Sequence, residues 1–213
     1  MRAKRILWLG MSMAALGALA PRAAYPSPAQ PTYESLLAMA RRGDGGLDFT
    51  ALRMASAARL AKMDEADPEL RKKMFAALHD DRWAAVIETG NQVLAQNYLD
   101  IDAHMFVAHA YEKSHQPEKA APHRTMGDGL MKSILASGDG RTAKTAFVVI
   151  SVHEEYSVLR HYRLLPGKQD LMTAGGHSYD VLTAQTGDTH EQATVFFNID
   201  KVVAIENAQL AGH

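Results

Sequence analysis

The sequence predicts an α+β fold in which N-terminal helical hairpins pack on a C-terminal antiparallel sheet. Three observations predict it. Apolar residues recur at helical spacing through residues 32–137. Ser137-Gly138-Asp139-Gly140 then interrupts that pattern. Beyond it come β-branched and aromatic segments with short polar connections, the mark of strands paired in sequence. The expected organisation is a helical half at 32–137 and a β-rich half at 138–213 of one domain. Hydrophobic residues make up 47% and charged residues 22% of the 213, enough to fill a core.

Residues 1–20 stand apart from that fold. Arg2, Lys4 and Arg5 give a basic start, residues 6–20 are uncharged and apolar, and Ala18-Leu19-Ala20 is a small-x-small cleavage signal. This is the pattern of a secretory signal peptide. Pro21 fits poorly directly after a cut, so cleavage is expected between residues 20 and 24. The apolar run falls short of the roughly 20 residues that a spanning helix needs, so no membrane span is expected after cleavage. The expected location is therefore periplasmic or secreted. The chain has no cysteine, which excludes a cysteine-linked lipid and any disulfide. Its net charge of −1 argues against a nucleic-acid partner. Residues 21–31 contain Tyr25-Pro26-Ser27-Pro28-Ala29-Gln30-Pro31 and read as a proline-rich linker.

Thr32 is an N-cap for a helix over 33–42, with Leu36, Leu37 and Ala40 on one face. Gly43-Asp44-Gly45-Gly46 stops it. Asp48 opens a second helix with Phe49, Leu52 and Ala55 or Ser56 inward. Asp67-Pro68 reads as cap and first turn of a third, over 68–78. A fourth covers 83–96, with Val86, Ile87, Val93 and Leu94 inward. Residues 100–134 form a hairpin of two helices joined at 114–117, capped by Asp102 and packed through Met105, Val107, Ala108, Tyr111 and Ala120. Residues 145–152 (TAFVVISV) are apolar on both alternating faces and read as a central strand. Residues 153–161 fit a short helix or a strand equally. Pro166-Gly167 reads as a turn, and 169–172, 178–184 and 193–199 as further strands.

Ala108, Tyr111 and Ala120 have the spacing of small, aromatic and small positions in a tetratricopeptide repeat, which the hairpin resembles in part. His104 stands at the usual tryptophan position and Arg124 at the downstream aromatic one. One position back by a repeat, Val86 replaces the small residue. Such hairpins need neighbours to bury their faces, and the sheet is the expected cover. The mature chain also resembles an exported bacterial family, domain of unknown function 4919. The residues that carry the likeness are Tyr33-Glu34-Ser35-Leu36-Leu37, Leu47-Asp48-Phe49, Tyr98-Leu99-Asp100, Asp102-Ala103-His104, Ser137-Gly138-Asp139-Gly140, Glu154-Glu155-Tyr156, Ser178-Tyr179-Asp180 and Phe197-Asn198-Ile199-Asp200. The family has no assigned reaction. The resemblance therefore implies the helix-then-sheet order and carries over no catalytic residue.

Residues 138–145 (GDGRTAKT) come one residue short of a phosphate-binding loop, with Ala143 where glycine belongs. That loop joins a strand to a helix, and here a helix precedes and a strand follows. The expectation is a turn with Gly138 and Gly140 at positive φ. His153-Glu154-Glu155 is the most suggestive triplet, since imidazole and carboxylates serve as metal ligands or acid–base pairs. A zinc-protease helix would need histidine where Ser157 stands, and His161 lies over two helical turns away. The bland reading is a helix start whose carboxylates answer the dipole or pair with Arg160 or Arg163. His177, Ser178 and Asp180 suggest a triad, but proximity in sequence does not make one. Asp180 and Asp200 are expected to end or flank strands. His104 and His109 lie five apart, the wrong spacing for one ion, and these two and His123 are expected to be partly buried or surface histidines.

No catalytic residue, metal site or cofactor is assigned. The expected role is a non-catalytic interaction module of the cell envelope, with a protein or peptide as partner. Two alternatives remain: a hydrolytic enzyme built on His153, Glu154 and Glu155, and a small-ligand binder whose groove is lined by Tyr111, Tyr156 and Tyr179.

Overall fold

Capping side chains set where the helices begin. Thr32 accepts a hydrogen bond from the Ser35 N–H at 3.2 Å and opens α1, Tyr33–Arg41. Asp48 does the same for Ala51 at 2.9 Å and opens α2, Phe49–Leu60. Asp67 accepts from Glu69 at 2.9 Å ahead of α3, Pro68–His79. Trp83–Gln96 forms α4, Ile101–Lys113 α5 and Pro117–Leu135 α6. The computed structural model describes residues 31–60 and 67–211, with the side chain of residue 58 left aside. The leader at 1–20 and the linker up to residue 30 lie outside the described residues.

α3–α4 and α5–α6 are two hairpins with the same turn. Asp81 takes φ 53° and His115 φ 57°, 34 positions apart. Arg82 N–H donates to the Ala77 carbonyl at 2.9 Å, and Gln116 N–H to the Tyr111 carbonyl at 2.9 Å, again 34 apart. Close packing between the hairpins needs a small residue on α4. A Cβ on Gly90 would lie 2.3 Å from Val107 Cγ2. Asp100, rather than Asp102, caps α5, accepting from the Ala103 N–H at 2.9 Å. Asp102 lies inside the helix, and its carboxylate is taken up by Arg71 and Arg160.

The sheet has four strands: β1 Phe147–Val148, β2 Leu164–Ala174, β3 His177–Thr186 and β4 Gln192–Asn198, in the order β1-β4-β3-β2. β2–β3 and β3–β4 are antiparallel, but β1 runs parallel to β4, so the sheet is mixed rather than antiparallel. The expected central strand at 145–152 is instead a 3-10 turn at Ala143–Thr145, a two-residue edge strand and the start of a helix. The backbone of Val148 explains why β1 stays at the edge. Its N–H donates to Ser137 Oγ at 2.8 Å, and its carbonyl accepts from Arg53 Nη1 at 3.0 Å. With both groups engaged by side chains, no further strand can pair outside β1, while on its inner side the Val149 N–H still donates to the Asn198 carbonyl at 3.2 Å. Phe147, Val149 and Ile150 owe their apolarity to burial in the core, not to a central strand.

Three further expectations are corrected. Pro166-Gly167 lies within β2, where the register shifts between Pro166 and Gln169, and makes no turn. Gly140 has φ 68° as expected, but Gly138 does not take positive φ. It is held by contact, since a Cβ there would lie 2.3 Å from the Thr145 carbonyl oxygen. Asp180 sits buried within β3 and does not flank it.

Residues 153–161, open between helix and strand, are helical: α7 spans Val152–His161 and follows the N-cap Ser151. α8, Asp200–Leu210, ends the chain's described part. One core joins helices to sheet, with Leu52, Leu130, Ile134, Phe147, Leu159, Leu182 and Phe197 all buried in it. Among the described residues, no helix is long and apolar enough to cross a membrane.

At the seam lies Arg53, 1% exposed. Its guanidinium donates to Glu154 Oε2 at 2.8 Å, to Ser133 Oγ at 2.9 Å and to the Val148 carbonyl. It thereby ties α2 to α6, to β1 and to α7. Arg53→Met leaves Glu154 buried without its counter-charge, which costs about 3–5 kcal/mol in equilibrium urea unfolding. Adding Glu154→Gln, which still accepts the Ile150 N–H, is expected to recover most of that loss.

Candidate functional site

Where α2, the α4–α5 connection, the start of α7 and α8 converge, they leave a groove of about 870 Å³. That volume falls in the range of ligand pockets, about 300–1,000 Å³. Leu60, Leu99, Ile101, Ile150, Val152 and Ile205 supply its apolar surface. Asp67, His153 and Glu206 are exposed polar residues along it.

Two carboxylates of the groove wall are locked from behind. Glu154 Oε2 accepts from Arg53 and from the Ile150 N–H at 2.9 Å. Asp100 is paired with Arg71 and also caps α5. Burial pushes both carboxyls up, and the arginine beside each works against it. Arg71 also holds Asp102 at 2.8 Å, and Arg160 reaches Asp102 with its Nε at 2.9 Å. Both guanidiniums lie over the Phe75 ring, at 5.8 and 5.3 Å from its centroid. This cluster ties α3 and α7 to the first turn of α5.

The His153-Glu154-Glu155 triplet is thus divided among three environments. His153 is exposed at the groove rim. Glu154 is bound to Arg53, and not to Arg160 or Arg163 as expected; Arg160 serves Asp102 instead. Glu155 faces away from the groove, fully buried beside Asp180 of β3, and neither of its oxygens meets a hydrogen-bond donor. Asp180 itself accepts from Gln169 Nε2 at 2.6 Å.

The other sequence candidates lie elsewhere. His177 Nδ1 meets Asp200 Oδ2 at 2.6 Å, while Ser178 gives Asp200 its backbone N–H at 2.8 Å. His177 is therefore partnered by Asp200 and not by Asp180, and the Ser178 N–H shares the same carboxylate. This arrangement clamps the β2–β3 hairpin to the start of α8. Tyr111 packs near His123 on the second hairpin, Tyr156 against the main core, and Tyr179 beside His177 on β3. None of the three tyrosines lines the groove. Among the described residues, no cluster of three histidines or carboxylates is placed to hold a metal.

Sequence reasoning missed three pairings that join distant elements: Arg53 with Glu154, Arg71 and Arg160 with Asp102, and His104 with His123. The available signal was an arginine next to Leu52 on the buried face of α2, and aspartate and histidine on the packed face of α5. His104 Nε2 lies 2.8 Å from the Tyr98 carbonyl and must carry the proton there. Its Nδ1 then accepts from His123 Nδ1 at 3.1 Å. Burial, with His123 adding to it, pushes His104 down to about 4.

These groups give stability a defined pH dependence. Glu155 is pushed up to about 8, first by burial and then by Asp180 and Glu154, against 4.5 for an unhindered carboxyl. The folded chain holds that extra proton, so the contribution is complete below 4.5 and is lost as pH rises through 8. His104 works in the opposite sense: its contribution is complete above 6.5 and is lost as pH falls through 4. Glu155→Gln is expected to raise the melting temperature at neutral pH and to widen its advantage as the medium becomes alkaline. A difference from the parent chain that does not change with pH would contradict the buried acid.

The chain matches a family model described as Domain of unknown function (DUF4919) over residues 55–208. No curated protein and no solved structure matches it. The matched span begins within α2 and ends within α8, and it takes in the groove-lining residues from Ser56 to Glu206, with Gln209 just beyond it. Since the match covers more than half of its length, the chain belongs to the DUF4919 family.

Proposed function

We propose that the protein is an exported, non-catalytic binding module whose groove receives a peptide segment of an envelope protein. The observation that carries this reading is the groove itself. It has an apolar floor and a polar rim, and arginines hold the two buried carboxylates in its wall. What it offers a partner is shape and apolar surface. The paired hairpins support the same reading. Their turns recur at 34 residues, which is the tetratricopeptide period, and such stacked hairpins commonly present concave surfaces to peptides. The basic start, apolar run and small-x-small signal of residues 1–20 support export.

Val152→Arg and Ile205→Arg place charge on the groove surface at positions that are not deeply buried. Against an array of short immobilised peptides, each is expected to abolish retention of the peptides that the parent chain binds, with an unchanged melting temperature. Retention that ignores both substitutions, or no retained peptide at all, would remove the groove from the account. Expression of the full chain in a Gram-negative host tests export separately. The expected product lies outside the cytoplasm, and its mass shows a cut between residues 20 and 24.

A further inference from the structure

A second hollow adjoins the groove and shares Ser56, Leu60, Gln96 and Asn97 with it. It measures only about 70 Å³, room for a small polar group and little else. Its remaining walls carry two arginines and two tyrosines. Arg41, in the last turn of α1, has its guanidinium carbon 5.3 Å from the centre of the Tyr98 ring. Arg59, in the last turn of α2, stands 5.3 Å from the centre of the Tyr33 ring. Burial pushes both phenols up, yet the positive fields of Arg59 and Arg41 reach Tyr33, and that of Arg41 reaches Tyr98. The two cations therefore converge on one notch.

Among the described residues, little neutralises them. Arg59 faces Glu34 at 4.0 Å, with both side chains more than half exposed, a contact of small worth. Arg41 makes no ion pair among the described residues. Stacking on a ring orients a guanidinium and leaves its N–H edge free to grip two oxygens at once. The neighbouring groove has the opposite character. Among the described residues, no lysine or arginine lines it, and its exposed charges include the Asp67 and Glu206 carboxylates. An anion is thus repelled along the groove and attracted at the notch, which gives the combined site a direction.

We infer that the Arg41–Arg59 notch takes the free C-terminal carboxylate of a peptide whose preceding residues lie in the groove. This rests on the peptide reading above and assigns the end of the peptide that is recognised. The notch admits a carboxylate, and Tyr33 and Tyr98 stand beside it with hydroxyl donors. Apolar side chains follow into the groove, with basic or neutral ones towards Asp67 and Glu206.

The test uses fluorescence anisotropy of the full chain with a short leucine- and lysine-containing peptide, prepared with a free C-terminal acid and as the C-terminal amide. Removing charge-assisted hydrogen bonds is expected to weaken the amide by about tenfold or more. Arg41→Gln and Arg59→Gln should bring the acid form down to the amide's level and leave the amide unaffected, with melting temperatures preserved. Arg41→Lys should restore part of the difference. Equal binding of acid and amide would overturn the notch while leaving the groove intact. Binding of neither would remove both. Inorganic phosphate binding the notch as tightly as the acid peptide would replace a peptide terminus with a general anion site and overturn the assignment.

Discussion

A buried guanidinium has to be surrounded by acceptors, and Arg53 imposes that requirement on the centre of this molecule. Its N–H groups can be satisfied only if α2, α6, β1 and α7 all reach the same point. The helical half and the sheet are therefore not free to dock in another register. The same demand shapes the site. Glu154 accepts from Arg53 and the Ile150 N–H, so the groove wall is polar in composition but occupied in its chemistry. It also closes the sheet at β1, because the outward Val148 carbonyl is held by Arg53.

A buried ion pair adds little net stability, since desolvation offsets most of the attraction; its clearer effect is on which arrangement is allowed. Two such centres flank the groove. The Arg53 centre fixes α7 against α2 and α6, and the Arg71–Asp102–Arg160 centre fixes it against α3 and α5. α7 is thus the strut between the hairpins and the β-layer. On its far side, Glu155 and Asp180 meet without a cation, and a retained proton takes the place of the missing charge.

Much of the helical half was legible because local signals agree there. Thr32, Asp48 and Asp67 each act as read, and α4 begins and ends where periodicity and the preceding turn place it. The β-rich half was less legible. Residues 145–152 look like a central strand because a buried irregular segment and a buried strand share one composition. Only the partners that its backbone finds separate them, and one of these, Arg53, stands 95 positions away. The helix at 200–210 lacked a recognisable signal: Ile199 precedes it with no capping hydrogen bond from its side chain. The candidate site was half legible. His153 and Glu154 do line the groove, but the arginine that neutralises Glu154 stands 101 positions away. Arg41 and Arg59 were not singled out, since an arginine near the end of a helix is ordinary until its neighbours are seen.

β2 forms one border of the sheet and is exposed along nearly its whole length, with Leu165 50% and Leu171 73% accessible. An open, apolar border strand invites another chain to add itself by backbone pairing. Here Pro166 lacks an N–H to offer, the register shift after it bends the strand, and Lys168 and Asp170 place charges on it, joined at 2.7 Å. These few residues stand guard against aggregation of the folded chain, and their removal would expose a template for fibres without touching the core.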